Sequence, residues 1–421
     1  MTLKFPKDFL FGTATASLQI EGGDTNNTWF EWSEAGHIKD KTHSLRACDH
    51  WQRIDSDFAL HQTLNVQTYR LGLEWSRLEP KEGEFSAQAL ENYRYELKGL
   101  NNRGIVPLVT LYHFSLPLWF SQRGGWVNPQ SALRFWRYVD YVARNLSDLV
   151  QDWITINEPN IYLTMGYLRG EWPPGKKNAV SEMFEAARNL VRAHVLAYDV
   201  IHHHRPDARV GVAHHLRVFD PLGGPLSHLS AYLHERIFQT MFLESMTKGR
   251  FILPLGRGYP YGKRQLSDFI GINYYTRDMV RGKLGVEPLH GILEVNKKSD
   301  TNELGWEIYP RGLSRLIEKM WKRYRLPIWI TENGICDSTD QKRTKYLINH
   351  LSEIHRCLQK KIPVERYYHW TLLDNFEWIE GESARFGFFH NDFETQTRTL
   401  RPSGKVFAQI ALTKELNLSD G

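Results

Sequence analysis

The chain has 421 residues, 41% hydrophobic and 24% charged, and its 53 basic and 48 acidic side chains are interspersed to a net charge of +5. This balance reads as solvated surface around a large core. It lacks the basic run that would mark a nucleic-acid or anionic-membrane partner and the apolar stretch of about 18 residues that a membrane span requires. The opening Met1-Thr2-Leu3-Lys4-Phe5-Pro6 has no apolar signal core, and Cys48, Cys336 and Cys357 form no CxxC pair; the expectation is a cytoplasmic protein with reduced thiols.

Short β-rich runs alternate with amphipathic stretches along the whole chain. Strands are expected at residues 9–17, 66–75, 105–113, 153–158, 208–215, 268–275, 327–332 and 364–373. Helices are expected at 49–64, 87–103, 129–150, 181–205, 227–247, 310–324 and 339–360. Such alternation calls for parallel strands with crossover helices, and eight repeats suit an α/β fold closed as a (β/α)8 TIM barrel with elaborated loops at its C-terminal rim. The alternative is a doubly wound open sheet, but the nearest approach to its glycine fingerprint, Gly256 to Gly262, has the wrong spacing and contains Pro260. No Pro-rich or Ser/Gly-rich linker divides the chain, so residues 1–421 are expected to form one domain. The weakly periodic residues 277–307 are expected to form a loop or hairpin over the rim.

Two of these strands stop at glutamates. The runs are Asp152-Trp153-Ile154-Thr155-Ile156-Asn157-Glu158-Pro159 and Pro327-Ile328-Trp329-Ile330-Thr331-Glu332-Asn333-Gly334. In a parallel barrel both carboxylates emerge at one rim and can flank a glycosidic bond, about 5 to 5.5 Å apart for retention or farther apart for inversion. The residues alone leave both outcomes open. One carboxyl must stay ionised and the other must keep its proton, which a cation beside one and a like charge beside the other would achieve. Arg70, Tyr274 and Tyr275, at expected strand ends, can hold a carboxylate charged, although a structural ion pair and packing are the ordinary uses of such residues.

The chain is 13% aromatic with 14 Trp, and the eighth expected strand leads into Trp370, Glu377 and Trp378. A stacked indole beside a carboxylate that accepts two hydroxyls makes a workable pyranose clamp. His202, His203 and His204 lie at the polar end of a helix and, with His214 and His215, lack metal-ligand spacing, so no metal is expected.

The sequence closely resembles glycoside hydrolase family 1, the β-glucosidase and β-galactosidase family, in Thr155-Ile156-Asn157-Glu158-Pro159, Ile330-Thr331-Glu332-Asn333-Gly334 and along nearly its whole length. The resemblance implies a retaining exo-β-glycosidase that needs no cofactor. It would act on a small β-glycoside or oligosaccharide carrying a terminal glucosyl residue, with galactosyl or fucosyl as further options, and would be monomeric or homo-oligomeric. It implies Glu158 as acid/base and Glu332 as nucleophile, with Asn157 on the sugar 2-hydroxyl, Arg70 and Tyr275 on the nucleophile and Asn273 nearby. Gln19, His113, Glu377 and Trp378 match contacts to the other hydroxyls, Trp370 the stacking floor, and Phe386 of Arg385-Phe386-Gly387 a further substrate contact. Phe114-Ser115 after His113 replaces the family's commoner Trp-Asp and alters the loop wall. A 6-phospho-β-glycosidase is a sibling reading that the charge of Glu377 opposes. A barrel that has lost its chemistry and only binds sugar is opposed by the presence of both glutamates.

Overall fold

The computed structural model describes residues 2–285 and 291–418. Its centre is a closed barrel of eight parallel strands, Leu10–Ala14, Thr68–Gly72, Val106–Thr110, Asp152–Asn157, Arg209–His215, Ile270–Asn273, Ile328–Asn333 and Val364–Trp370, each paired with its neighbours in chain order. All eight expected strands are present; six are shorter than expected, and the fourth and seventh keep their length but are shifted by one residue. The second, fourth, sixth and seventh are buried at every residue, because crossover helices cover the outside while opposing side chains fill the inside.

The end where the strands begin is sealed. Asp152 receives Arg209 Nε and Arg366 Nη1, each at 2.7 Å, while the Arg366 guanidinium lies 3.9 Å above the Trp329 ring, itself stacked on Phe269 at 3.7 Å. A buried carboxylate with two cations and an aromatic plug stabilises this face, and the chemistry is left to the opposite rim.

Seven expected helices are present, with one correction. The stretch 227–247 is not one helix but Pro225–Glu235, a π-helical turn at Arg236–Thr240 and Met241–Lys248. An eighth outer helix, Pro402–Thr413, is not among the expected helices. Its start is capped from far away in sequence, where Asp340 Oδ2 accepts from Ser403 N at 2.9 Å and Asp340 Oδ1 from Ser403 Oγ at 2.6 Å.

Over the rim, Arg277–Gly282 and Gly291–Glu294 pair antiparallel beside Val218–Pro221, the hairpin expected from residues 277–307; residues 286–290 lie outside the described residues. Thr2–Lys4 pairs with Glu415–Asn417, tying the two ends of the chain together. Among the described residues no helix is long and apolar enough to cross a membrane.

Candidate active site

Glu332 sits one residue before the end of the seventh strand and is 3% exposed. Arg70 Nη1 donates to its Oε1 at 2.5 Å and the Tyr275 hydroxyl to its Oε2 at 2.6 Å. Both bonds favour the carboxylate. The rest of the Arg70 guanidinium is committed as well, Nε to Thr110 Oγ1 at 3.0 Å, Nη1 to Thr331 O at 3.1 Å and Nη2 to Asn157 Oδ1 at 2.7 Å. Gly334, which closes the signature, leaves no space for a side chain, since a Cβ there would lie 1.9 Å from Trp370 O.

Glu158 follows the fourth strand in a left-handed conformation, φ 42° and ψ 59°, before Pro159 opens a short helix. This backbone costs a non-glycine residue about 1–3 kcal/mol, a cost met at functional sites. Glu158 Oε1 accepts from Asn273 Nδ2 at 2.8 Å and lies 3.1 Å from His215 Nδ1. Asn273 Nδ2 also donates to Asn157 Oδ1 at 3.0 Å, and Asn273 Oδ1 accepts from Thr331 Oγ1 at 2.7 Å. Arg70, Asn157 and Asn273 therefore link the two glutamates in one network. Asn273, expected among the substrate contacts, is fully buried and its amide is spent on this network, so it holds Glu158 rather than lining the cavity.

Because Asn157 Oδ1 faces Arg70, its Nδ2 must face His113, where it donates to Nε2 at 2.9 Å. Burial, with Arg70 adding, holds His113 well below its ordinary pKa. It is neutral, its hydrogen is on Nδ1, and that atom has no protein partner. Gln19 Nε2 donates to Glu377 Oε2 at 3.1 Å and to Phe376 O at 2.9 Å, leaving Gln19 Oε1 buried and unpaired. Trp370 Nε1 reaches the same Glu377 oxygen at 3.4 Å.

These groups face a cavity of about 380 Å³ whose lining includes His113, Asn157, Glu158, Tyr275, Glu332, Trp370, Glu377, Trp378 and Phe386. Gln19, Arg70 and Asn273 stand directly behind that lining. Nine of the twelve residues expected at the site thus line one cavity, and the other three support them.

Burial pushes Glu332 up to about 7, with Arg70 pulling it down and the charge of Glu158 adding to the rise. Burial pushes Glu158 up as well; a charge on His215, together with the bonds from His215 and Asn273, would outweigh burial and leave Glu158 lowered. Two buried carboxyls joined in this way titrate as a pair and hold one proton near neutrality. Burial raises Glu377 to about 8 against its bonds from Trp370 and Gln19.

The fold recurs in known proteins. The glycosyl hydrolase family 1 model matches residues 1–256 and 262–416. The chain belongs to this family. The family 1 chain is 32% identical to beta-glucosidase A of Thermotoga maritima over 97% of each chain. It superimposes on a beta-glycosidase from Pyrococcus horikoshii with a TM-score of 0.90 at 35% identity, covering 100% of this chain and 97% of the other. It matches equally well, TM-score 0.90 at 31% identity over 98% and 99% of the two chains, a Thermotoga maritima beta-glucosidase in complex with deoxynojirimycin. The family 1 chain is a glycoside hydrolase.

Several residues of the hydrolase's cavity were not singled out from sequence. Leu304 and Trp306 come from the rim loop, Trp172 packs against Trp378 beside Phe114 of the expected loop wall, and Arg217 closes one side. His215 was weighed only as a metal candidate, yet it touches Glu158. Its signal was available, since it ends the fifth strand at the same rim as the glutamates. His202 and His204 instead meet Asp268 and Asp140 on the outside of the barrel.

Proposed function

We propose that Glu332 is the nucleophile and Glu158 the acid/base with which this retaining exo-β-glycosidase releases terminal β-D-glucosyl residues. The supporting observation is the asymmetry between two carboxyls that open onto one cavity. A permanent cation and a phenol hydrogen are aimed at Glu332, and neither is aimed at Glu158.

A Glu332 oxygen attacks the anomeric carbon as the bond to the leaving oxygen breaks, and Glu158 gives its proton to that oxygen, so the aglycone departs as an alcohol. Glu158, now a carboxylate, takes a proton from water, and the resulting hydroxide attacks the same carbon and frees Glu332. Two inversions give net retention. Trp370 supplies the face on which the sugar rests. Glu377, Gln19 Oε1 and His113 Nδ1 supply an acceptor pair and a donor for its hydroxyls, with Asn157 beside the 2-hydroxyl and Trp378 and Phe386 closing the wall. A carboxyl at the Glu377 position disfavours a phosphorylated sugar.

The pairing of the chain's two ends supports one catalytic domain over the whole chain. Three buried free cysteines support residence in the cytoplasm.

Incubation with a 2-deoxy-2-fluoro-β-glucoside bearing an activated leaving group tests the assignment. The fluorine slows the second step, so peptide mass spectrometry is expected to find the glycosyl group on Glu332. An adduct on Glu158, or on neither, would overturn it.

A further inference from the structure

His215 is 5% exposed, and its two ring nitrogens meet different partners. Nδ1 lies 3.1 Å from Glu158 Oε1, and Nε2 lies 2.9 Å from Arg217 Nε. An arginine Nε always carries its hydrogen, so Arg217 is the donor and His215 Nε2 offers its lone pair. The ring hydrogen is then on Nδ1, where it donates to Glu158. Turning the ring by half a revolution would present carbon to both partners, so orientation and tautomer are settled together.

Arg217 is anchored. Its Nη1 donates to Asp278 Oδ2 at 3.1 Å, and its backbone N and O are held by the Gln239 amide at 2.9 and 3.2 Å. Tyr275 stacks on the His215 ring at 6.0 Å between centroids, and Phe238 meets it edge-on at 6.0 Å. The polar groups facing the ring are therefore Glu158, Arg217 and the Tyr275 phenol, with Asp278 behind Arg217.

We propose that His215, locked by Arg217 as the neutral Nδ1–H tautomer, is a positioning residue that orients Glu158 and directs the acid's proton to Oε2. The proposal rests on the acid/base reading of Glu158. His215 and Asn273 both donate to Oε1, which leaves Oε2 as the atom that can carry the proton. A second proton on the ring would point at the hydrogen of Arg217, so the imidazolium is excluded. Only a charged His215 would pull the Glu158 carboxyl down strongly; with the ring neutral, the Arg70 and Tyr275 donors favour the charge on Glu332 and leave the shared proton to Glu158. In the second half of the reaction the same Nδ1–H favours the Glu158 carboxylate that must accept a proton from water.

The test compares pH profiles of kcat/KM on phenyl β-glucoside, whose poor leaving group needs the acid, for the wild type, His215→Phe, His215→Asn and Arg217→Met. The basic limb reports the acid. His215→Phe removes a donor from Glu158, so the limb is expected to move up by about 0.5–1 pH unit. Arg217→Met frees Nε2 to take a proton, and the imidazolium moves the limb down by about one unit. His215→Asn restores an N–H and returns the limb towards the wild-type position.

Shifts of opposite sign, with rescue by asparagine, support the proposal. Shifts of the same sign, or an unmoved limb in Arg217→Met, overturn it, and that variant decides the matter even if His215→Phe fails to fold. Glu158→Gln, run alongside, tests the underlying reading. If that variant hydrolyses phenyl and 2,4-dinitrophenyl β-glucosides equally impaired or equally well, the acid/base assignment itself fails; if it loses only the phenyl substrate, the assignment stands and the limb shifts judge His215 alone.

Discussion

Arg70 and Glu332, 262 residues apart in the chain, form an ion pair of 2.5 Å from which solvent is excluded, with side-chain exposures of 0% and 4%. One guanidinium spans the barrel between the second and seventh strands and also holds Asn157, the residue before Glu158. A single cation therefore orients both halves of the site, in surroundings where an electrostatic contact is worth far more than in water.

Replacing Arg70 by Met removes the charge that favours the Glu332 carboxylate. Since Arg70 lowers the Glu332 pKa, its loss raises that value and moves the acidic limb of kcat/KM to higher pH. The expected fall in kcat is at least about 100-fold, as for loss of a preorganised donor in a dry site. Steady-state kinetics between pH 5 and 9 measures both effects, and an unmoved acidic limb would count against Arg70 acting through Glu332.

Tyr275→Phe keeps the ring that stacks on His215 but removes the 2.6 Å bond to Glu332. A fall in kcat of about 10-fold to 100-fold is expected, with stability changed by about 1 kcal/mol. Urea titration beside kinetics separates the two, and a large loss of stability would mean that the hydroxyl is mainly structural.

Glu377→Ser opens the pocket near the clamp formed with Gln19 and Trp370. The kcat/KM for aryl β-glucosides is expected to fall by about 100-fold or more, because the buried donors lose their acceptor. The discrimination against a 6-phosphoglucoside should narrow at the same time. A substrate panel checks this, and wild-type preference for the phosphorylated sugar would refute the present reading of the pocket.

Away from the site, His50 is buried between Asp57 Oδ2 at 2.8 Å and Glu96 Oε1 at 3.1 Å. Burial opposes its charge, but Glu96 and Asp57 raise it from 6.5 to about 10. A folded-state pKa above the unfolded one contributes stability that is complete below pH 6.5 and is lost as pH rises towards about 10. The stability gap between wild type and His50→Gln, about 3 kcal/mol at pH 6 for a broken buried pair, should shrink steadily up to pH 10 in urea titrations. A gap independent of pH would show His50 to be uncharged.

The sequence by itself determined the eight strands, most of the helices between them and the identity of both glutamates. Each is written in local terms: β-branched runs, a 3.6-residue apolar spacing, and a strand stopped by Pro159 or Gly334. Pro402–Thr413 escaped because its cap is Asp340, and the break at Arg236–Thr240 escaped because periodicity does not mark a π-helical turn.

The resemblance already implied a different role for each glutamate, and tertiary structure alone supplies the contacts by which they differ. Arg70, Asn273 and His215 lie on strands distant in sequence and Tyr275 just beyond one of them, and their distances set which carboxyl meets a cation and which meets a neutral ring. His215 shows the limit most clearly, since beside His214 it looks like a ligand fragment, and only Arg217 Nε at 2.9 Å decides where its hydrogen lies. Strand formation depends on near neighbours in the chain, whereas protonation and hydrogen-bond direction depend on neighbours in space.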